Sequence, residues 1–260
     1  MVTYWLLGLC LWYAEKTAGK TGQTYAVVVG ISDYQALSYA TGDLRFADRD
    51  ARQVVQFLRS KPGGQVGASH IRLLTNRQAT WANIQQALTL FREAGADDRV
   101  ILYFSGHGLP DSFVPYDVIP GNRSRLLTHR AIKAAFYESK AQTKLCIADA
   151  CLSGSMTQPT KQRSAAQTIT TNAGAGSNVA MLLASRSTEN AVESRRLAGG
   201  TFTYYLLKGL NGRADRNHDK MVTIRELHRY VSPLVRQITR GKQAPVFYGR
   251  FSDNLALSYL

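Results

Sequence analysis

The stretch LCIADACLSGS (145–155) sets Cys151 at the end of an apolar run, with Asp149 two residues before it and a Gly/Ser turn after it. A thiolate at such a place is a nucleophile once a base takes its proton. YFSGHG (103–108) supplies the base: His107 stands between Gly106 and Gly108 at the end of a second apolar run. Glycines let the backbone turn sharply and come close to a ligand. An imidazole can lower the thiol pKa, give a proton to a leaving amine and later activate water. The amides of Gly108 and Cys151 could then face the oxyanion that forms when a peptide carbonyl is attacked. Taken singly, a His is more often structural or merely exposed, and a Cys after a strand is more often packing. Together, at two strand ends separated by about forty residues, enough for a helical crossover, they favour catalysis.

The elements that must carry these two ends are legible as alternating strands and helices. TYAVVVGIS (24–32), IRLLTN (71–76), DRVILYFSGHG (98–108), TKLCIADAC (143–151), VAMLLASRS (179–187) and APVFYG (244–249) read as strands, most of them continuous apolar runs of the buried parallel kind. FADRDARQVVQFLRS (46–60) repeats apolar residues at helical spacing through Val54, Val55 and Leu58. Thr80 can cap a helix through Ile84, Leu88 and Phe91, and Thr128 one through Phe136. Residues 200–210 and 222–239 read as two more helices, with Pro233 expected to kink or divide the second. Residues 109–125 are rich in Pro, Asp and Gly and read as loop. This pattern predicts an α/β fold, a mainly parallel sheet covered by helices on both faces. Ligands bind such sheets at the carboxyl ends of the strands, where His107 and Cys151 fall.

The chain's 260 residues suit one large domain, and 45% hydrophobic content supports a large core. The net charge of +14 is dispersed, with no basic block or interleaved aromatic series. It reads as a solubility feature and argues against a nucleic-acid partner. Three cysteines (Cys10, Cys146, Cys151) do not make a disulfide framework, and Cys146, inside an apolar run, reads as an inert buried thiol. Residues 1–20 read as a signal peptide or an N-terminal extension. Their apolar block, Tyr4–Ala14, is too short to span a bilayer and resembles a secretory h-region, but no Lys or Arg precedes it. The first reading places the protein outside the cytoplasm, the second within it. Residues 21–260 form the single expected domain. Nothing in the sequence bears on oligomeric state.

YFSGHG and IADACLSGS resemble the His and Cys motifs of the caspase-like cysteine peptidases, and the metacaspases and their bacterial relatives, the orthocaspases, are the nearest branch. The resemblance runs from YAVVVGISDY at 25 to QAPVF at 243 and includes LRFADRDARQVVQFL (44–58) and GGTFTYYLLKGLNGRADRN (199–217). It implies a caspase-like three-layer sandwich on a six-stranded sheet. It also implies a His107/Cys151 dyad with Gly108 as oxyanion donor. Asp149 lies two residues before the nucleophile, hence on the same side of an extended strand. An acid there does not help a thiolate; it makes sense as the floor of a pocket for a cation. In metacaspases the matching position does this with an acid of the first helix region, which aligns with Asp50, although Asp48 is close by. The substrate would be a protein or peptide with Arg or Lys before the cut, and Arg's planar fork suits two carboxylates better.

SGSMTQPTKQRSAAQTITTNAGAGSN (153–178) has little apolar periodicity and reads as a mobile loop. Lys161 and Arg163 within it are candidate self-cleavage points for an Arg/Lys-directed peptidase; an ordinary solvated loop is the plain alternative. DRNHDKMVTIRE (215–226) has the acids of a calcium loop, but Lys220 stands where that loop needs Gly. Thr223 and Glu226 read instead as a capping box, so no metal or other cofactor is expected; calcium dependence stays open, with no clear site in the sequence to support it. The alternative class, a non-catalytic binding or scaffold protein of the same fold, is disfavoured by the presence of both dyad residues.

Overall fold

The computed structural model describes residues 22–37, 42–109, 111–150, 178–184, 193–194 and 197–260. Cys151, Lys161, Arg163, the N-terminal block and all but the last residue of the 153–178 segment lie outside them.

The chain runs β1 (Thr24–Gly30), α1 (Ala47–Arg59), β2 (Ile71–Thr75), α2 (Trp81–Leu88), β3 (Arg99–Gly106), then three two-residue strands, β4 (Gly108–Leu109), β5 (Ser112–Phe113) and β6 (Leu127–Thr128). It continues with α3 (His129–Glu138), β7 (Thr143–Ala150), β8 (Asn178–Leu183), β9 (Glu193–Ser194), β10 (Gly199–Gly200) and α4 (Thr201–Lys208). Last come β11 (Met221–Thr223), α5 (Ile224–Ile238), β12 (Val246–Arg250) and β13 (Ala256–Tyr259). Six strands form the central sheet in the order β12-β8-β7-β3-β1-β2. All neighbours are parallel except β12, which runs antiparallel to β8.

Strand alternation sorts the sheet's side chains into two cores. Ala26, Val28, Ile101, Tyr103, Leu145 and Ile147 pack with Val54 and Leu58 of α1, Phe202 and Leu206 of α4, and Leu227 and Val231 of α5. Val27, Val29, Leu102, Phe104, Cys146 and Ala148 face the other way, onto Ile84 and Leu88 of α2 and Ile132 and Phe136 of α3. Most of these side chains are fully buried, and each Val, Leu, Ile or Phe among them contributes about 1.5–3 kcal/mol by leaving water. The expected three-layer arrangement is therefore present, and Cys146 is a buried free thiol, its pKa pushed up to about 12 by burial.

Both threonine caps form: Thr80 accepts from Asn83 N–H at 3.2 Å and Thr128 from Ala131 N–H at 3.2 Å. The structure departs from the sequence reading in four places. Phe91 lies in a 3-10 extension (Thr89–Glu93) rather than in α2. Residues 109–125 contribute to a small three-stranded sheet, β4-β5-β6, rather than to loop alone. Pro233 does not divide α5, which is continuous. Pro233 and Arg229 are both exposed, so the carbonyl deprived of its partner can turn to water. Finally, the C-terminal residues pair as β13 against β11. Arg99 at the start of β3 ties that strand down, donating to the carbonyls of Ala256 (2.8 Å) and Leu257 (3.1 Å).

One buried histidine makes the fold acid-sensitive. His129 opens α3 with its ring edge against Phe113, and neither ring nitrogen has a hydrogen-bond partner among the described residues. Burial pushes its pKa down to about 4, against a smaller opposite pull from Asp111. The unfolded chain takes up this proton near pH 6.5 and the folded one only near pH 4. Stability is thus complete above the first value and falls as pH drops towards the second, by at most about 3 kcal/mol. His129→Phe keeps a ring in place and removes the titration. The gap between denaturant midpoints at pH 7 and pH 4.5 should narrow in that variant; an unchanged gap refutes the assignment.

Candidate active site

The adjacent strands β3 and β7 end together at the carboxyl rim of the sheet. Ser105 is in register with Asp149, and Gly106 with Ala150. His107 and Cys151 are each the next residue in sequence after that last pair.

His107 is held from three sides. Its backbone N–H donates to the Tyr34 hydroxyl at 2.7 Å, its ring lies tilted against the Tyr34 ring at 5.0 Å, and its Nε2 contacts the Gly42 carbonyl. A carbonyl only accepts, so Nε2 carries the hydrogen and the neutral ring keeps its lone pair on Nδ1. Gly106 is what allows this approach. A Cβ on it would lie 2.7 Å from the Tyr34 oxygen and 3.0 Å from the Phe104 ring, and its φ of +156° suits glycine. The next residue is equally placed for chemistry. Val114 N–H donates to the His107 carbonyl at 3.0 Å, which makes Gly108 and Phe113 a non-hydrogen-bonded pair of the hairpin. That ladder makes no use of the Gly108 N–H.

Asp149 and Asp50 come together on the α1/α4 side of the sheet. Asp149 follows Leu145 and Ile147 on that face, and Asp50 lies in the first turn of α1; they are 5% and 1% exposed. The turn into α4 passes between them. Gly200 N–H donates to Asp50 Oδ2 at 2.8 Å. Thr203, in the first turn of α4, donates to Asp149 Oδ2 from its N–H (3.1 Å) and from its hydroxyl (2.8 Å). The same hydroxyl lies 2.7 Å from the Tyr103 oxygen. As the Thr203 proton goes to the carboxylate, Tyr103 is the donor of that bond. Tyr103 stays protonated, since burial first, and then the charges of Asp50 and Asp149, hold its pKa well above the ordinary value. The helix N-terminus adds its positive end to this cradle. A Cβ on Gly200 would sit 2.1 Å from Asp149 Oδ2 and 2.8 Å from Asp50 Oδ2. Those two oxygens are therefore within about 5 Å of each other, close enough for one cationic group to contact both.

The structure separates Asp50 from Asp48. Asp48 accepts from the Ser32 hydroxyl at 2.8 Å and faces Arg52 at the surface, so it fixes a loop and not the buried cradle. Sequence reading missed Tyr34, Gly42, Tyr103, Gly200 and Thr203. Only the Gly-Gly-Thr run gave a signal, because a glycine pair before a helix implies a close approach.

In the 215–226 loop, Thr223 and Glu226 form the expected capping box: Glu226 N–H donates to the Thr223 hydroxyl (3.3 Å) and Thr223 N–H to the Glu226 carboxylate (3.0 Å). Among the described residues no group of three or more His, Cys, Asp or Glu could hold a metal ion. No helix among them is long and apolar enough to cross a membrane.

Comparison with known proteins bears on the family and the fold. The caspase domain family model matches residues 23–256. A protein named probable protease from a Desulfuromonadales bacterium is 28% identical over 152 residues, 50% of this chain and 18% of that protein; the chain thus spans well under two thirds of that relative's length. The crystal structure of caspase-1 from Spodoptera frugiperda superposes with a TM-score of 0.64 at 13% identity, covering 92% of this chain and 91% of that one. A protein from Geobacter sulfurreducens superposes with a TM-score of 0.62 at 17% identity, covering 88% and 95%.

Proposed function

The chain belongs to the caspase domain family, and we propose that it is a cysteine endopeptidase that cuts peptide bonds after Arg or Lys. The observation that carries the specificity is the pair of buried carboxylates, Asp50 and Asp149, beside the strand ends that lead to His107 and Cys151. A guanidinium between them would neutralise both charges, and its planar fork can hydrogen-bond both at once; an ammonium can do so only as a point charge. An acidic side chain would add a third negative charge there and is rejected.

The reaction follows from the tautomer of His107. The Cys151 sulfur, as thiolate, attacks the carbonyl carbon, and the oxygen's developing charge is met by the Gly108 N–H. His107 gives a proton to the leaving amine as the C–N bond breaks, leaving an acyl thioester on Cys151. Its Nδ1 then takes a proton from water, whose oxygen attacks the thioester, and the thiol returns. The Gly42 carbonyl fixes the ring through Nε2. No step needs a metal or another cofactor.

The test uses peptides identical except for Arg, Lys or Asp before the bond, with and without a calcium chelator. Arg is expected first, Lys second and Asp at background, with the chelator changing nothing; Cys151→Ala should cut none. Cleavage after Asp, or the same rate with Cys151→Ala, rejects the reading, and no cleavage at all favours a binding protein on the same fold. Lys161 and Arg163 make the 153–178 segment a substrate of this specificity. The parent chain should therefore yield two fragments on a denaturing gel while Cys151→Ala stays whole; an intact, active parent would rule out self-processing.

A further inference from the structure

Next to His107, on the side of the sheet away from Asp50 and Asp149, lies a groove of about 550 Å3, within the size range of ligand sites. Its walls include Leu37, Leu109, Val114, Ile119 and Leu126, together with His107 itself. No acid lines it. Among the described residues, Arg123 is the one Lys or Arg that lines it, and it is turned to Asp111 in an ion pair at 2.6 Å. Val114 and Leu126 belong to the α2/α3 core, whereas the carboxylates lie on the α1/α4 face.

We propose that this groove receives an apolar side chain of the residue immediately after the cut bond, so that the enzyme selects for a large aliphatic or aromatic residue there. The inference rests on the proposed peptidase reading and on the alternation of an extended peptide. Successive side chains of such a chain point to opposite sides. If the residue before the bond drops its cation between Asp50 and Asp149, the next residue points to the opposite face. His107 must reach the amine of that next residue to protonate it, which holds the residue against the imidazole and hence over the groove. Ile119 is 47% exposed at the groove's edge, an apolar surface with no described partner to cover it. A leucine or phenylalanine side chain would cover it.

The experiment compares kcat/KM for peptides that are identical except for Leu, Phe, Gly or Lys after a constant Arg. In the unaltered enzyme Leu and Phe should exceed Gly by about tenfold, the scale of discrimination a hydrophobic pocket provides. Ile119→Asp places a charge at the exposed edge of the groove. It should erase the Leu and Phe preference over Gly and raise the Lys peptide relative to Leu. A thermal midpoint close to that of the parent reports that the variant is folded. Equal rates for Leu and Gly in the parent, or an unchanged Leu preference in Ile119→Asp, overturns the groove's role while cleavage after Arg stands. Absence of cleavage after Arg in every peptide overturns the peptidase reading and the groove's role with it.

Discussion

Replacing His107 with Ala should lower kcat/KM on Arg peptides by between about a hundredfold and ten-thousandfold, the range that general acid–base groups supply. The loss has two sources. The Cys151 thiol no longer has a base to form the thiolate, and the departing amine no longer receives a proton. The first is measurable without any substrate: alkylation of Cys151 by iodoacetamide at neutral pH should slow in parallel. His107 is half-buried at a rim, so the truncation leaves the two cores intact and the thermal midpoint close to that of the parent. A His107→Ala enzyme with parent-like turnover would remove the imidazole from the mechanism.

The second large effect is expected at the carboxylates. Asp149→Asn keeps the size of the side chain and an oxygen that can accept from Thr203, but deletes the charge. Removing one partner of a buried charge pair typically costs about 2–5 kcal/mol, so kcat/KM for Arg peptides should fall by between about thirtyfold and a few thousandfold. Peptides with uncharged citrulline in place of Arg should be nearly indifferent to the change. Asp50→Asn should act in the same direction, and the double variant should lose less than the two single losses together, because both carboxylates would serve one cation. A variant that keeps full preference for Arg over citrulline would mean that the specificity lies elsewhere.

The sheet was legible because its strands carry the pattern of burial on both faces. TYAVVVG and RVILYFSG have almost no polar interruption, and only a sheet covered twice tolerates that. Asp149 could be placed by counting two back from Cys151, since strand alternation is a local rule. What could not be read was everything set by contacts far apart in the chain. Thr203 lies 54 residues from the carboxylate it holds, and Tyr34 lies 73 from the backbone it anchors; neither residue type announces such a role. Pro233 shows the opposite error. Its local cost is real, but the packing of Leu227, Val231 and Val235 onto the sheet outweighs it. The short strands at 108–128 escaped because two-residue pairings leave no periodicity to detect.

Parallel strands need a long connection between them, and the connection from β7 to β8 is the one that begins with Cys151 and holds Lys161 and Arg163. β7 and β8 are neighbours in the middle of the sheet, in register from Thr143–Asn178 to Ala148–Leu183, and Thr203 reaches back across that junction to Asp149. A scissile event between the two strands would therefore divide the polypeptide without dividing the molecule. Both pieces would migrate as one particle on a sizing column and come apart only in detergent or denaturant. Each would be useless alone, the first owning the imidazole, the sulfur and both acids, the second the helix start that aims one of them.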